Sequence, residues 1–326
     1  SDGLFNQKPI KLSRMADMNI KRKMPAPLLA LFAALFIAGC HAAVPEHEGR
    51  SFVIYDTMDY VGKPKDLSAD KISPAMLIYE RQITRPAADG KRKAGEFDPA
   101  LVQQFAEQSR QSGINVIALD IESWFGAIDG QILSGGAIAQ DFSTMFKSFK
   151  RINPEAKIGN YDVPVANLNL IRFLRQDQPE EAIITKWQQT NVRRIPVGAV
   201  SDDLYPVFYK GGPGVAQWEK DMAVSVAEIK RLYPQKRIIG YLWPQYYSFR
   251  ESPYYKQFIG PQEWRAMLEA SIKHLDGVII WSDKRDEHDK IVRWEDPRVQ
   301  AMIQATREFV AAHADRVQLD GVAARK

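Results

Sequence analysis

Apolar and polar residues are arranged in alternating blocks along most of the chain. Between residues 51 and 326, short runs of consecutive apolar residues, which suit buried strands, are separated by longer segments whose apolar residues recur every three or four positions, as on one face of a helix. This order predicts strands and helices in alternation. The strand-like runs lie at residues 52–56, 75–80, 115–121, 157–163, 197–201, 237–243 and 277–282.

The segments between these runs carry residues that start and stop helices. Asp98 and Pro99 open one segment, and Gly113 follows its last apolar position. Such a cap, a proline at the first helical position and a glycine past the end are typical of a complete helix. Further helices are predicted at residues 140–150, 180–192, 215–232, 260–277 and 298–313.

The repeated order of strand and helix predicts an α/β fold, and seven strand-like runs favour a (β/α) TIM-like barrel with seven regular strands over an open doubly wound sheet. A dinucleotide-binding sheet would also place a glycine-rich turn after its first strand. Residues 54–66, "IYDTMDYVGKPKD", contain no such turn. The predicted single barrel domain covers residues 51–326.

The first 39 residues are predicted to be an upstream remnant followed by a lipoprotein signal peptide. Basic residues at 21–23 precede an apolar stretch at 28–37, which is shorter than the roughly 20 residues of a membrane-spanning helix. The ending "IAGC" resembles a bacterial lipobox, and this resemblance implies cleavage before Cys40 and lipidation of its thiol. The alternative is an ordinary secretory leader.

Lipidation at Cys40 would make residues 40–50 a linker from a membrane anchor to the barrel. The expected location is therefore the bacterial cell envelope. His41 occupies the position after the cysteine, where aspartate would favour retention in the inner membrane, so an outer-membrane or periplasm-facing location is expected.

Charge and cysteine content exclude several classes of function. Residues 1–39 hold six basic and two acidic residues, which leaves 38 of each sign in the remainder, so a nucleic-acid partner is not expected. Cys40 is the only cysteine, which rules out an internal disulfide. No metal or other cofactor is expected, because the histidines show no ligand spacing; they are His41, His47, His274, His288 and His313.

Polar and aromatic residues cluster where the predicted strands end. In a parallel barrel the carboxyl ends of the strands form the functional face, so these residues are expected to meet around one cleft. Their mixture of rings and carboxylates suits sugar binding, although Trp124 and Trp243 are equally consistent with core packing. The candidate substrate-binding residues are Trp124, Tyr161, Asp162, Asp203, Tyr205, Tyr241, Trp243, Tyr246, Trp281 and Asp283.

Asp120 and Glu122 end the third strand-like run, and residues two apart on a strand point to the same side. Two neighbouring carboxylates do not ionise together easily, so the pKa of one of them rises and it becomes a proton donor near neutral pH. Cleavage of a glycosidic bond needs such a donor. The alternative is that the pair serves only in structural ion pairing.

Two short segments resemble the hyaluronidase glycoside hydrolases (family 56). "LDIESW", which contains Asp120 and Glu122, is similar to that family's Asp-x-Glu-x-Trp signature, and "DGVIIWSD" is similar to its last strand, which ends in an active-site tryptophan. "IGYLWPQYYSF" is similar to the penultimate strand. This chain departs from the family in having no disulfides, and its tyrosine contexts "NYDVP" and "DDLYP" match only loosely.

The resemblance implies a retaining, substrate-assisted and endo-acting hydrolase without a cofactor. Glu122 would protonate the glycosidic oxygen and later activate water, while Asp120 would orient the 2-acetamido group that attacks the anomeric carbon. Tyr161 or Tyr205 would bind that group, and Trp281 would form the wall of its pocket. The expected partner is a polysaccharide or glycan that contains N-acetylhexosamine, and the protein is expected to be a monomer.

Two other functions are consistent with the sequence. One is a retaining glycosidase with two carboxylates, in which Glu122 is the acid and Asp162, Asp202 or Asp203 is the nucleophile; retaining pairs lie about 5 Å apart. The other is a non-catalytic lipoprotein that holds a carbohydrate in its aromatic cleft.

Overall fold

The computed structural model describes residues 50–84, 95–129, 134–248 and 250–320. The strands are β1 (Phe52–Thr57), β2 (Ile72–Pro74), β3 (Met76–Tyr79), β4 (Val116–Asp120), β5 (Lys157–Asn160), β6 (Ile239–Leu242), β7 (Gly277–Trp281) and β8 (Val317–Gln318). The α-helices are α1 (Glu80–Ile83), α2 (Pro99–Ser112), α3 (Glu122–Asp129), α4 (Gly135–Lys150), α5 (Leu168–Leu174), α6 (Glu180–Val200), α7 (Ala216–Leu232), α8 (Pro261–His274) and α9 (Pro297–Ala312). The predicted signal peptide, Cys40 and the linker up to residue 49 lie outside the described residues.

All strand pairs are parallel, and the strands form two sheets. One has the order β2-β1-β7-β6, with β8 also paired to β1, and the other has the order β3-β4-β5. The register of the second sheet places Asp120 of β4 opposite Tyr79 of β3. The last residues of these two strands therefore lie side by side at the carboxyl edge.

The two sheets are connected on both sides. On one side a single residue, Ala75, separates β2 from β3, so one stretch of chain belongs to both sheets. On the other side residues 204–207 bridge β5 to β6. The Asp162 amide donates to the carbonyl of Tyr205 (3.1 Å), and the Ile239 amide donates to the carbonyl of Leu204 (2.9 Å). With helices between the parallel strands, this arrangement confirms the predicted α/β, TIM-barrel-like fold.

Helix α2 shows why the start and stop signals predict its bounds well. The Asp98 carboxylate accepts hydrogen bonds from the amides of Ala100 and Leu101, which have no partner inside the helix. At the other end Gly113 adopts a φ of +71°, which is favourable only for a residue without a side chain.

The strand predicted at residues 197–201 is wrong, because α6 continues through Pro196 as far as Val200. Lys236 stabilises this end of the helix: its ammonium group donates to the carbonyls of Gly198 (2.9 Å) and Ala199 (2.8 Å), and also to that of Ser201. These carbonyls have no partner within the helix, so the lysine replaces the missing hydrogen bonds. The bridging segment at 204–207 takes the place of the predicted strand.

Side chains seal the amino end of the barrel. Tyr205 is fully buried there, and its hydroxyl donates to the carbonyl of Lys157 at the start of β5 (3.2 Å). Arg237 forms an ion pair with Asp203 (2.6 Å), and Asp320, just after β8, accepts a hydrogen bond from the Tyr55 hydroxyl. The open cleft therefore lies at the opposite, carboxyl end. Within the described part of the chain, no helix has the length and apolar character needed to cross a membrane.

Candidate active site

Asp120 lies at the carboxyl end of β4, surrounded by tyrosines. Its Oδ1 atom is buried and has no hydrogen-bond partner among the described residues. Burial, together with the negative charges of Glu122, Glu80 and Asp162, raises the pKa of Asp120 to about 7. The charge of Asp120 in turn contributes to raising the pKa of nearby tyrosine hydroxyls, an effect dominated by their own burial; these tyrosines are Tyr79, Tyr161, Tyr209 and Tyr241.

Glu122 is the first residue of α3 and lies on the surface of the cleft. The neighbouring protein removes water from around its carboxylate and raises its pKa, and the charges of Asp162 and Glu80 act in the same direction. Glu80 accepts hydrogen bonds from the amide (3.2 Å) and hydroxyl (2.5 Å) of Ser123, the residue after Glu122. Glu80 therefore fixes the first turn of α3.

The strand ends at Asp120, so Asp120 and Glu122 do not belong to one extended strand as the sequence pattern predicts. Ile121 between them is buried, and the helix begins directly after it. The two carboxylates nevertheless interact, because the charge of Glu122 raises the pKa of Asp120. The pair holds a proton near neutral pH, which is the property needed for acid and base catalysis.

Aromatic side chains form one wall beside Asp120. Trp281, at the end of β7, stacks on Tyr209 with ring centroids 5.8 Å apart, and its indole nitrogen donates to the Tyr79 hydroxyl (3.1 Å). Trp243 meets Trp281 edge to face at 5.0 Å. Tyr247 continues the wall outward, with its ring 6.0 Å from Tyr209 and 43% of its surface exposed. Flat rings of this kind bind the apolar faces of sugars.

A cavity of about 330 Å³ opens beside this wall. Tyr161 and Tyr209, which lie near Asp120, also line the cavity, whereas Asp120 and Trp281 do not. The size suits a small ligand or part of a polymer. The cavity is lined by Glu122, Asp129, Tyr161, Asp162, Ala166, Asn167, Leu170, Ile171, Arg175, Lys186, Thr190, Arg194, Val207, Tyr209 and Tyr247.

Several predicted site residues meet at the carboxyl end. Tyr161 packs edge to face on Tyr241 at 5.1 Å, and Asp162 faces the same cavity as Glu122. Tyr241 is fully buried, and its hydroxyl has no partner among the residues that the structure describes. Trp243 belongs to the aromatic wall but is only 3% exposed.

Trp124 does not line the cleft, which corrects the prediction for this residue. It is fully buried and packs on Phe142 of α4, with ring centroids 4.7 Å apart. Because α3 begins at Glu122, the side chain two residues later points to the other side of the helix, toward the core. The core-packing alternative is the correct one for this tryptophan.

Asp203 and Tyr205 were also predicted at the cleft, but they lie at the sealed amino end described above. The wrong position of the fifth strand caused this error. A strand at 197–201 would end before Asp203 and place it at the carboxyl end, whereas the actual bridging segment begins only after Asp203, at residue 204. Asp202 likewise pairs with Lys150 (2.5 Å), away from Glu122.

Tyr246 and Asp283 were predicted at the cleft, but the structure shows them in structural contacts elsewhere. The Tyr246 hydroxyl donates to Glu263 of α8 (2.6 Å), and its ring is buried in the core. Asp283 forms a buried ion pair with Lys256 (2.6 Å). Neither residue lines the cavity.

The sequence pattern did not single out Tyr209 or Arg194. Side chains alternate in direction along an extended segment, so Tyr205, Val207 and Tyr209 point to the same side. This alternation is the signal that could have identified Tyr209. Arg194 gives no such signal, because it lies within a helix among other charged residues. In the described ranges, no group of three or more histidine, cysteine or acidic residues is arranged to hold a metal ion.

No family model and no curated protein sequence matches this chain. Among solved structures, bee venom hyaluronidase in complex with a hyaluronic acid tetramer is 16% identical; the match covers 83% of this chain and 99% of the hyaluronidase, with a TM-score of 0.45. A GH18 chitinase from Pseudoalteromonas aurantia is 14% identical over 77% of this chain and 99% of its own, with a TM-score of 0.39.

An engineered protein also matches, with 11% identity, coverage of 85% of this chain and 71% of its own, and a TM-score of 0.41. Sequence identities and TM-scores this low do not assign a reaction to this chain.

Proposed function

We propose that this protein is a retaining glycoside hydrolase that acts on glycans containing N-acetylhexosamine by a substrate-assisted mechanism. One observation carries the proposal: Asp120, with a pKa of about 7, lies among tyrosine hydroxyls and interacts with Glu122, and Glu122, Tyr161 and Tyr209 line the adjacent cavity. This combination supplies a proton donor, an acceptor for an amide N–H, and rings that bind sugars.

In the first step Glu122 donates its proton to the glycosidic oxygen, and the bond from that oxygen to the anomeric carbon breaks. The carbonyl oxygen of the 2-acetamido group attacks the same carbon and closes an oxazolinium ring. Asp120 accepts the amide N–H and stabilises the positive charge that develops on the ring. No protein nucleophile is needed.

In the second step Glu122, now a carboxylate, removes a proton from water as the water oxygen attacks the anomeric carbon. The ring opens, the acetamido group is restored, and Glu122 is protonated again. The configuration is retained because two inversions have occurred.

The position of the shared proton depends on the substrate. In the empty cleft burial favours a proton on Asp120. When an amide N–H donates to Asp120, the carboxylate form is stabilised, and the proton is then favoured on Glu122. Substrate binding would therefore prepare the acid for the first step.

The test uses hyaluronan, chondroitin and N-acetylated chitin oligosaccharides, each beside its chemically de-N-acetylated form, and measures new reducing ends. We expect wild-type protein to cleave at least one acetylated glycan and not its de-N-acetylated form. Glu122→Gln should retain binding and lose nearly all hydrolysis. Full activity in Glu122→Gln would refute the role of Glu122, and equal cleavage of both forms would refute substrate assistance.

A second candidate is a retaining hydrolase in which Asp162 is the nucleophile. It is favoured by one observation: Asp162 lines the same cavity as Glu122 and is the charged residue that most strongly raises its pKa. A 2-deoxy-2-fluoro glycoside would then form a covalent adduct on Asp162, which mass spectrometry of peptides detects. Such an adduct would replace the substrate-assisted scheme.

We also propose that Cys40 carries a lipid that anchors the protein in the bacterial cell envelope. The supporting observation is the lipobox-like ending of the leader. Labelling of growing cells with a fatty-acid analogue should mark the wild-type protein and not Cys40→Ala. Absence of label from the wild-type protein would contradict the proposal.

A further inference from the structure

Arg194 is a buried cation between two carboxylates of the cleft. It lies in α6, and only 7% of its side chain is exposed. Its Nη2 atom is 2.7 Å from Asp129 Oδ2, and its Nη1 atom is 2.7 Å from Asp162 Oδ2. The guanidinium group also lies 5.5 Å from the centre of the Phe125 ring. One side chain thus contacts the end of α3 and Asp162, the second residue after β5.

The contact with Asp162 fixes an unusual backbone conformation. Asp162 has a φ of +60°, in the left-handed region that costs a non-glycine residue about 1 kcal/mol or more. Arg194 Nη1 donates both to the carboxylate and to the carbonyl oxygen of Asp162, the latter at 2.9 Å. Two hydrogen bonds from a charged donor offset this cost and hold the carboxylate against the cavity.

The contact with Asp129 acts on Glu122 through the helix. Glu122 and Asp129 are the first and last residues of α3, which is two turns long. A helix this short moves as a rigid unit, so fixing one end limits movement at the other. Glu80 holds the first turn through Ser123, and Arg194 holds the last.

We infer that Arg194 is a positioning residue for the cleft: it fixes Asp162 directly and fixes Glu122 through Asp129 and α3. Its effect on catalysis rests on the proposed glycosidase function, whereas its effect on the two carboxylate positions does not. Arg194 is well suited to this task, because the guanidinium group is planar and directs its N–H groups toward two carboxylates in a fixed geometry, which a lysine ammonium group does not impose.

The experiment compares Arg194→Lys and Arg194→Gln with a matched control, Arg193→Gln. Arg193 is the preceding residue, and its Nη1 atom donates to the Asp129 carbonyl (2.9 Å); its hydrogen bonds do not include Asp162. Crystal structures of each variant report the φ of Asp162 and the position of the Glu122 carboxylate. Arg194→Lys keeps a positive charge beside the two partly exposed carboxylates, so it provides a folded variant if Arg194→Gln is unstable.

In Arg194→Lys we expect Asp162 to leave the left-handed conformation and the Glu122 carboxylate to move by about 1 Å. A displacement of that size lowers kcat by ~100-fold, with a smaller change in KM. Arg193→Gln keeps the ion pairs of Arg194 with Asp129 and Asp162, so Asp162 should keep its left-handed conformation, and Glu122 and kcat should change much less than in Arg194→Lys. The kinetic substrate is whichever acetylated glycan the wild-type protein cleaves.

Unchanged positions of Asp162 and Glu122 in both Arg194 variants would overturn the inference. So would values of kcat in these variants equal to that of Arg193→Gln. If wild-type protein cleaves no glycan, the proposed function fails, and the crystal structures alone then decide whether Arg194 positions the carboxylates.

Discussion

Trp281 and Tyr209 stack with their ring planes 26° apart and their centroids separated by 5.8 Å. Trp281 is the last residue of β7, and Tyr209 lies two residues after the bridging segment, so the contact joins two separate parts of the chain at the carboxyl end of the barrel. Tyr209 contributes a hydroxyl near Asp120 as well as a ring for the wall. These two contributions can be separated by mutation.

Tyr209→Phe keeps the ring and removes the hydroxyl. We expect kcat/KM to fall by about 10-fold, which corresponds to the loss of one hydrogen bond to the substrate, with little change in stability. Tyr205→Phe is the matched control, because its hydroxyl lies at the sealed end and bonds the Lys157 carbonyl. Steady-state kinetics that show equal losses in both variants would contradict the assignment of Tyr209 to the site.

The pKa of Asp120 predicts how stability depends on pH. Its pKa in the folded protein, about 7, lies above the ordinary value of 3.8, so the folded state binds more protons than the unfolded state between these values. The free energy of unfolding should therefore decrease as the pH rises from about 4 to 7, by on the order of 2 to 4 kcal/mol from this residue.

Asp120→Asn removes this titration, and the amide has no charge to bury. Urea unfolding at several pH values should show that the variant is more stable than wild type at pH 8 and differs much less at pH 4, although its hydrolysis is lost. A parallel pH dependence of the two proteins would show that Asp120 has an ordinary pKa.

Replacing Trp124 and Trp281 separately distinguishes a tryptophan of the core from a tryptophan of the cleft. Trp124→Ala removes a fully buried ring and should lower the free energy of unfolding by about 3 to 5 kcal/mol, with KM of the folded fraction nearly unchanged because the ring does not line the cleft. Trp281→Ala should lower hydrolysis by more than 10-fold at a smaller cost in stability, since the ring is partly exposed at the cleft. The reverse pattern, measured by denaturant unfolding and kinetics, would exchange their roles.

Replacing Lys236 tests whether its hydrogen bonds stabilise the end of α6. Lys236→Met removes the group that donates to the last helical carbonyls, and the free energy of unfolding should fall by about 1 to 2 kcal/mol. Lys220→Met, a change at an exposed lysine of α7, is the control and should have almost no effect. Equal stability of both variants would show that the helix does not depend on this contact.

The fold and the position of Asp120 and Glu122 at the end of a strand could be predicted from the sequence, because these depend on local patterns. Apolar runs identify strands, and the sheet direction then places Asp120 and Glu122 at the carboxyl end. The prediction failed at residues 197–201, because Pro196 and the following apolar residues are locally consistent with a strand. The helix is favoured there by Lys236, which is distant in sequence.

That single error accounts for two wrong site residues and one missed residue. A strand at 197–201 would place Asp203 and Tyr205 at the cleft, and it gives no position there to Tyr209. The role of Arg194 depends on contacts between three separate elements, which no local pattern reveals. The prediction for Trp124 failed because the strand ends at Asp120 and α3 begins at Glu122. The direction of the Trp124 side chain therefore follows helix geometry and not strand geometry.

The sealed amino end of the barrel has a consequence for how a long chain is handled. Tyr205, Arg237 and Asp320 close the bottom of the barrel, away from the cleft. Under the proposed function, a polymeric substrate would therefore lie across the mouth, and both fragments would leave by the route through which the intact chain arrived. Their release would then depend on the outer rim, where Tyr247 is the most exposed aromatic residue of the wall.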